Sequence, residues 1–220
     1  MLVVHGSPRR GGNTDSLAQM AAQLLQERAG SGSELEIRSL RASAVDGRPC
    51  LGCGACSTTG QCIVRDGMQE VYEAVRWADT LLVACPVYFA SVSAQLKTVI
   101  DRFQCAWAAK YLLGQPWVAP EEDRRAVLLA AGGMKIRRHL AQVRDVVRSW
   151  LVVVNYQLTG DVLLNEVDER GAVQEVDGLD GLLREAVASL IDRPPAPMAG
   201  GTGRRTRGGD ERAQSEPDSC

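Results

Sequence analysis

Short apolar segments alternate with segments of helical periodicity along most of this chain, and this alternation restricts its fold more than any other feature. Most of the apolar segments are continuous, so their strands are expected to be buried on both faces. Such strands, separated by helices, predict a parallel sheet covered by helices on both sides. Strand segments are predicted at 2–7, 35–40, 80–88, 125–133 and 156–167, and helices at 13–28, 67–79, 93–107, 137–154 and 179–192.

The number of strands selects the architecture. Five strands are too few for an eight-stranded barrel, and they predict a three-layer α/β fold built on a doubly wound five-stranded parallel sheet. Residues 1–192 carry this pattern and are expected to form one domain. Residues 193–220 show no apolar periodicity and are dominated by Pro, Gly, Arg and acidic residues, so they predict a disordered C-terminal tail.

Charge and hydropathy argue against several classes of protein. The 25 basic and 27 acidic side chains give a formal net charge of −2, which argues against nucleic acid as a partner. No apolar run reaches the roughly 18–20 residues that span a bilayer, so no membrane association is expected. The N-terminus shows no secretory leader, and a cytoplasmic location is expected. In a reducing cytosol, clustered cysteines are more often metal ligands or redox groups than structural disulfides.

The loop after the first predicted strand, GSPRRGGNTD at 6–15, has the composition of a phosphate site. Its glycines allow a tight turn, and its hydroxyl, amide and guanidinium groups are anion donors that lead into a helix N-terminus. Neither the Walker pattern nor GxGxxG is present. Taken alone, the loop fits a phosphate site and a simple N-capped helix equally well.

A second motif supports the first. GSPRRGGNT together with PVYFASVSAQLKTVIDR at 86–102 resembles the NAD(P)H-dependent FMN reductase family of flavodoxin-like proteins, over roughly residues 1–190. The resemblance implies a flavodoxin-like fold that binds FMN. It places the FMN phosphate at Ser7, Arg9, Asn13 and Thr14, and the isoalloxazine ring at Pro86, Val87, Tyr88 and Phe89, with a looser match at Gly132 and Gly133.

The activity implied by the resemblance is that of an FMN-dependent NAD(P)H oxidoreductase. Electrons would pass from the nicotinamide to a small acceptor such as a quinone or a flavin. Since the flavin performs the chemistry, no catalytic side chain is expected. The family also implies a homodimer or a homotetramer.

Four cysteines stand in thirteen residues, CLGCGACSTTGQC, from Cys50 to Cys62. Cys-x-x-Cys steps let thiolates converge, and the intervening glycines permit the turning that encloses a [4Fe–4S] cluster. Structural zinc usually uses two separated Cys-x-x-Cys pairs, which makes zinc the weaker interpretation. A reduced cysteine loop without a metal remains open. The proposed ligands are Cys50, Cys53, Cys56 and Cys62.

The cysteine spacing resembles that of the iron–sulfur flavoproteins, a branch of the same family. This resemblance implies an alternative function, in which FMN and the cluster relay single electrons to or from a redox protein such as a ferredoxin. A third hypothesis is a redox-sensing module whose thiols respond to oxidation. Iron content and turnover with a pyridine nucleotide separate the three.

Overall fold

The computed structural model describes residues 1–29 and 35–192. Within them, five parallel strands form one sheet in the order β2-β1-β3-β4-β5. The predicted doubly wound five-stranded parallel sheet is confirmed. The strands are β1 (Leu2–His5), β2 (Arg38–Arg41), β3 (Thr80–Pro86), β4 (Arg125–Ala131) and β5 (Gln157–Leu164). The predicted tail at 193–220 lies outside the described residues.

Helices cover both faces of the sheet and make the structure three-layered. One core packs α1 and α7 against the sheet, and the other packs α3 to α6. No helix in the described part of the chain is long and apolar enough to cross a membrane. The helices are α1 (Asn13–Ala29), α2 (Cys56–Thr59), α3 (Met68–Trp77), α4 (Ala94–Arg102), α5 (Gln104–Tyr111), α6 (Arg137–Val153) and α7 (Leu179–Ile191).

The central strands explain why the apolar runs are continuous. In β3, Leu81 and Val83 belong to one core while Leu82 and Ala84 belong to the other. Successive side chains of a strand point to opposite faces, so a strand between two helical layers is apolar at every position.

The edge strand β2 is shorter and later than predicted. Its pairing with β1 begins at Leu2 opposite Arg38, and β1 is four residues long. The alternating segment 35–40 therefore enters the sheet only from Arg38, whose N–H donates to the Met1 carbonyl at 3.0 Å.

The predicted helix at 93–107 is two helices. The break lies at Phe103, between α4 and α5. The carbonyl of Arg102 accepts hydrogen bonds from the Tyr72 hydroxyl at 3.0 Å and the Cys105 thiol at 3.3 Å. These side-chain donors satisfy a carbonyl that would otherwise continue the helical ladder, and the junction is buried against Tyr72.

Candidate functional site

A cavity of about 360 Å³ opens at the carboxyl end of the sheet, where the strand order reverses between β1 and β3. The segments after these two strands lead into α1 on one face and α4 on the other, and such a switch point leaves a crevice for a ligand. The lining residues come from segments after four of the strands: Ser7, Arg9, Arg10, Gly12, Asn13, Thr14, Pro86, Val87, Tyr88, Ala131, Gly132, Gly133, Val167, Asp168 and Arg170.

The first of these segments turns sharply because it begins with a glycine that nothing larger can replace. A Cβ on Gly6 would lie 2.8 Å from both Cys85 Cβ and Leu96 Cδ2. The next residue, Ser7, is buried, and its hydroxyl accepts the N–H of Arg9 at 3.1 Å. The chain then enters α1 with Thr14 buried in the first turn, so the free N–H groups of the helix start lie at the cavity.

The carboxylate of Asp15 stabilises this loop through hydrogen bonds and ion pairs. Its carboxylate accepts the Gly11 N–H at 2.8 Å, pairs with Arg41 at 2.8 Å and contacts His5 Nδ1 at 3.0 Å. Arg41 also donates to the Ser7 carbonyl at 2.9 Å. Burial acts to raise the pKa of Asp15, but the Arg41 guanidinium and the Gly11 N–H together hold that pKa below its usual value.

The second wall is the segment after β3, and it approaches the segment after β4 closely. The Val87 N–H donates to the Ala131 carbonyl at 2.9 Å, and a Cβ on Gly132 would lie 2.9 Å from Val87 Cβ. Pro86 and Tyr88 complete a mostly apolar end of the cavity. This end suits a planar, partly apolar ring.

Phe89 does not join that wall. Its side chain is fully exposed, at 105 %, at the tip of a turn closed by mutual backbone hydrogen bonds between Tyr88 and Ser91. Phe89 and Ala90 have φ of 49° and 61°. Left-handed conformation at both central residues is that of a two-residue hairpin turn, and this geometry turns the Phe89 ring out of the cavity.

The segment after β5 also lines the cavity, and the sequence motifs did not indicate it. Asn13 donates to the Glu169 carbonyl at 2.8 Å and accepts the Gly171 N–H at 2.9 Å, so its amide ties this segment to the phosphate loop. Arg170 donates to the Gly11 carbonyl at 2.9 Å. The available signal was position alone, since the carboxyl ends of parallel strands share one edge.

The residues present fit FMN. Three arginines, Arg9, Arg10 and Arg170, lie with the start of α1 at one end of the cavity, which matches a dianionic phosphate. The other end is lined mainly by apolar side chains and by close backbone approaches, and the Asp168 carboxylate lies beside Gly133. Among the predicted flavin residues, the structure brings Ser7, Arg9, Asn13, Thr14, Pro86, Val87, Tyr88, Gly132 and Gly133 together.

The four clustered cysteines line a second, smaller pocket, with Leu51, Ile63, Arg102 and Cys105 among the other lining residues. Cys50 and Cys53 are exposed, while Cys56 and Cys62 are half-buried. Burial raises the pKa of Cys56, a backbone hydrogen bond partly offsets this, and charge on the neighbouring cysteines adds to the rise. In the described residues no three His, Cys, Asp or Glu side chains are close enough to hold a single metal ion.

The donor set of this pocket nevertheless matches a multi-iron group. A [4Fe–4S] cluster takes one thiolate at each of four irons, so its ligands stand further apart than those around one ion. The pocket wall also carries a buried donor, because Arg102 Nε has no hydrogen-bond partner within the described part of the chain. Four thiols and a buried cation fit an anionic cluster.

The fold and the cavity define a flavodoxin-like α/β protein with a site for a phosphorylated cofactor. The NADPH-dependent FMN reductase family model matches residues 1–162, and the chain belongs to that family.

Named relatives point to one branch of it. An iron-sulfur flavoprotein of Archaeoglobus fulgidus is 29% identical over 192 residues, covering 87% of this chain and 81% of its own. An iron-sulfur flavoprotein of Methanosarcina thermophila is 37% identical over 99 residues, covering 45% of this chain and 49% of its own.

The structure of the NADH:FMN oxidoreductase EMOB, at 20% identity, superposes with a TM-score of 0.55 over 88% of this chain and 90% of that one.

Proposed function

We propose that this protein takes electrons from NAD(P)H through bound FMN and passes them to a small acceptor such as a quinone or a flavin. The observation that carries the proposal is the cavity at the switch point, with its arginines at one end and its apolar wall at the other. Family membership over residues 1–162 supports the same cofactor.

Different residues of the cavity would bind different parts of the cofactor. Ser7, Thr14 and Arg9 would hold the phosphate together with the N–H groups at the start of α1. Val87 and Tyr88 would pack against the ring. Bound FMN supplies the transfer of hydride and electrons, and the protein supplies position and surroundings.

Anaerobic reduction tests this proposal. The FMN-loaded chain is mixed with NADH or NADPH, and the visible flavin absorption is followed before and after a quinone is added. The proposal predicts bleaching by at least one nucleotide and recovery on addition of the acceptor. A flavin that dithionite reduces but neither nucleotide bleaches would contradict it.

A second candidate function is supported by the cysteine pocket. There the protein would relay single electrons between FMN, a [4Fe–4S] cluster and a redox protein partner such as a ferredoxin. Four thiols lining one pocket support it, as do the relatives named iron-sulfur flavoprotein. About four irons per chain after anaerobic reconstitution are expected, with loss of iron in Cys53→Ser but not in the buried Cys85→Ala control.

Assembly and location are part of the proposal. The protein would work as a homodimer or homotetramer, for which the exposed Trp107 and Tyr111 on α5 offer apolar surface. It would act in the cytoplasm, where the six described cysteines, all free in the structure, stay reduced. Neither a nucleic acid nor a membrane is a partner in this scheme.

A further inference from the structure

Arg102 is the most deeply buried cation near the cysteine pocket. Its side chain is 1% exposed, although it ends α4 and borders a surface pocket. A buried guanidinium must be paired, and Arg102 forms a two-point ion pair with Asp66, at 2.7 Å to Oδ2 and 3.1 Å to Oδ1.

The same guanidinium ties down both ends of the cysteine segment. Before Cys50, the carbonyl of Arg48 accepts from Arg102 Nη1 at 2.7 Å. After Cys62, the carbonyl of Val64 accepts from Nη2 at 3.4 Å. One side chain of the helix layer thus fixes the two points between which the cysteines lie.

Arg102 also reaches a cysteine directly. Its Nη2 donates to Cys62 Sγ at 3.5 Å, and its Nε is the buried donor that has no partner in the described residues. The same Nη2 also donates to Asp66 Oδ1, and the Asp66 carboxylate is held by the N–H groups of Arg48 at 3.2 Å and Met68 at 3.1 Å. The sulfur of Cys62 therefore lies against a positive group whose position is fixed.

We infer that Arg102 is a positioning residue that makes the cysteine-bound cluster easier to reduce, through its hydrogen bond to Cys62. This inference rests on the second candidate function, that of an iron–sulfur flavoprotein. The fork of the guanidinium is required, because it must reach Asp66, two carbonyls and a sulfur at once.

The direction of the effect follows from charge. Reduction adds one electron to the cluster, taken from the reduced flavin in the protein or from dithionite in a titration. The added negative charge is stabilised by a cation and by an N–H donor to a ligand sulfur. Removing Arg102 lowers the midpoint potential, whereas removing the negative charge of Asp66 raises it.

Redox titration of reconstituted Arg102→Gln and Asp66→Asn, followed by EPR, tests the inference. We expect a downward shift for Arg102→Gln of about tenfold in the one-electron equilibrium, or about 59 mV. Asp66→Asn shifts upward, and Arg102→Lys, which keeps the charge, lies between Arg102→Gln and the natural protein. The midpoint potential of the FMN, in a separate cavity, stays unchanged in all of them.

The opposite signs separate this role from a purely structural one. Two variants that move the potential in the same direction, leave it unchanged, or lose iron while still folded and loaded with FMN overturn the inference. If Arg102→Gln does not fold, an Asp66→Asn potential that fails to rise overturns it alone. If the natural protein contains no iron after reconstitution, that result contradicts the proposed cluster. It then also contradicts the role of Arg102, before any variant is made.

Discussion

At the scale of single residues, the Asp15 carboxylate stabilises the loop at the cavity although Asp15 is not among the residues that line the cavity. Its side chain is 6% exposed and joins the turn at Gly11, the end of β1 at His5 and the edge strand at Arg41. Arg41 is 26 residues from Asp15 in the sequence, which is why the motif GSPRRGGNTD indicated a phosphate loop but not its support. His5 and Arg41 carried no pattern that could have revealed it.

Replacing Asp15 by Asn is expected to destabilise the protein by about 2–4 kcal/mol at pH 7, since Arg41 would lose a buried partner. The folded-state pKa of Asp15 is below the unfolded value of about 3.9. Its contribution is therefore fully present above about pH 4 and is lost as the pH falls through the lower folded-state value.

Urea unfolding between pH 3 and pH 7 measures this difference. The control is Asp180→Asn, which breaks an exposed ion pair with Arg184 and should leave the stability almost unchanged. An Asp15→Asn variant as stable as the natural protein at pH 7, or a gap that widens on acidification, would contradict the role given to Asp15.

At the scale of elements, the turn at 88–91 departs from local preference. Hairpin turns of this kind favour Asn-Gly, and here Phe89 and Ala90 occupy the left-handed positions. No sequence pattern predicts such a turn from Phe-Ala. The family resemblance implied a place for Phe89 beside the flavin ring, and the structure has its side chain exposed. Strain beside a ligand cavity is a common property of functional loops.

Replacing Ala90 by Gly should relieve this strain and stabilise the protein by about 0.5–1 kcal/mol, because glycine adopts positive φ without steric cost. The matched control is Ala119→Gly at an exposed position without positive φ, where the same change should cost about 0.4–1 kcal/mol. Thermal unfolding of both variants decides the matter, and a destabilised Ala90→Gly would argue against the turn geometry.

The helices and strands could be predicted where local periodicity and burial alone determine them. Buried parallel strands such as β3 and β4 can be predicted because they are continuous apolar runs in the sequence. The break at Phe103 was not readable, because it depends on Tyr72, a side chain about thirty residues away that binds the Arg102 carbonyl. Tertiary hydrogen bonds of this kind leave no local pattern in the sequence.

At the scale of the whole molecule, the candidate site is a product of topology. Segments that are far apart in the chain meet because parallel strands end at one edge of the sheet. Two of these segments carried recognisable motifs, and the segment after β4 carried only a Gly-Gly pair. The segment with Asp168 and Arg170 carried no motif. The sequence therefore predicted most of the residues at the phosphate end of the cavity, but it did not predict that the segment after β5 lines the cavity as well.

The measurement that tests the central claim most directly compares the affinities of the cofactor-free protein for FMN and for riboflavin. The two ligands differ only in the phosphate, which the start of α1 and the arginines should bind. We predict that FMN binds at least about a hundredfold more tightly, a difference of about 2.7 kcal/mol. Arg9→Gln should narrow that gap, while Arg184→Gln on the exposed surface of α7 should leave it unchanged. Equal affinity for the two ligands, or no binding of either, would contradict a flavin phosphate site at this edge of the sheet.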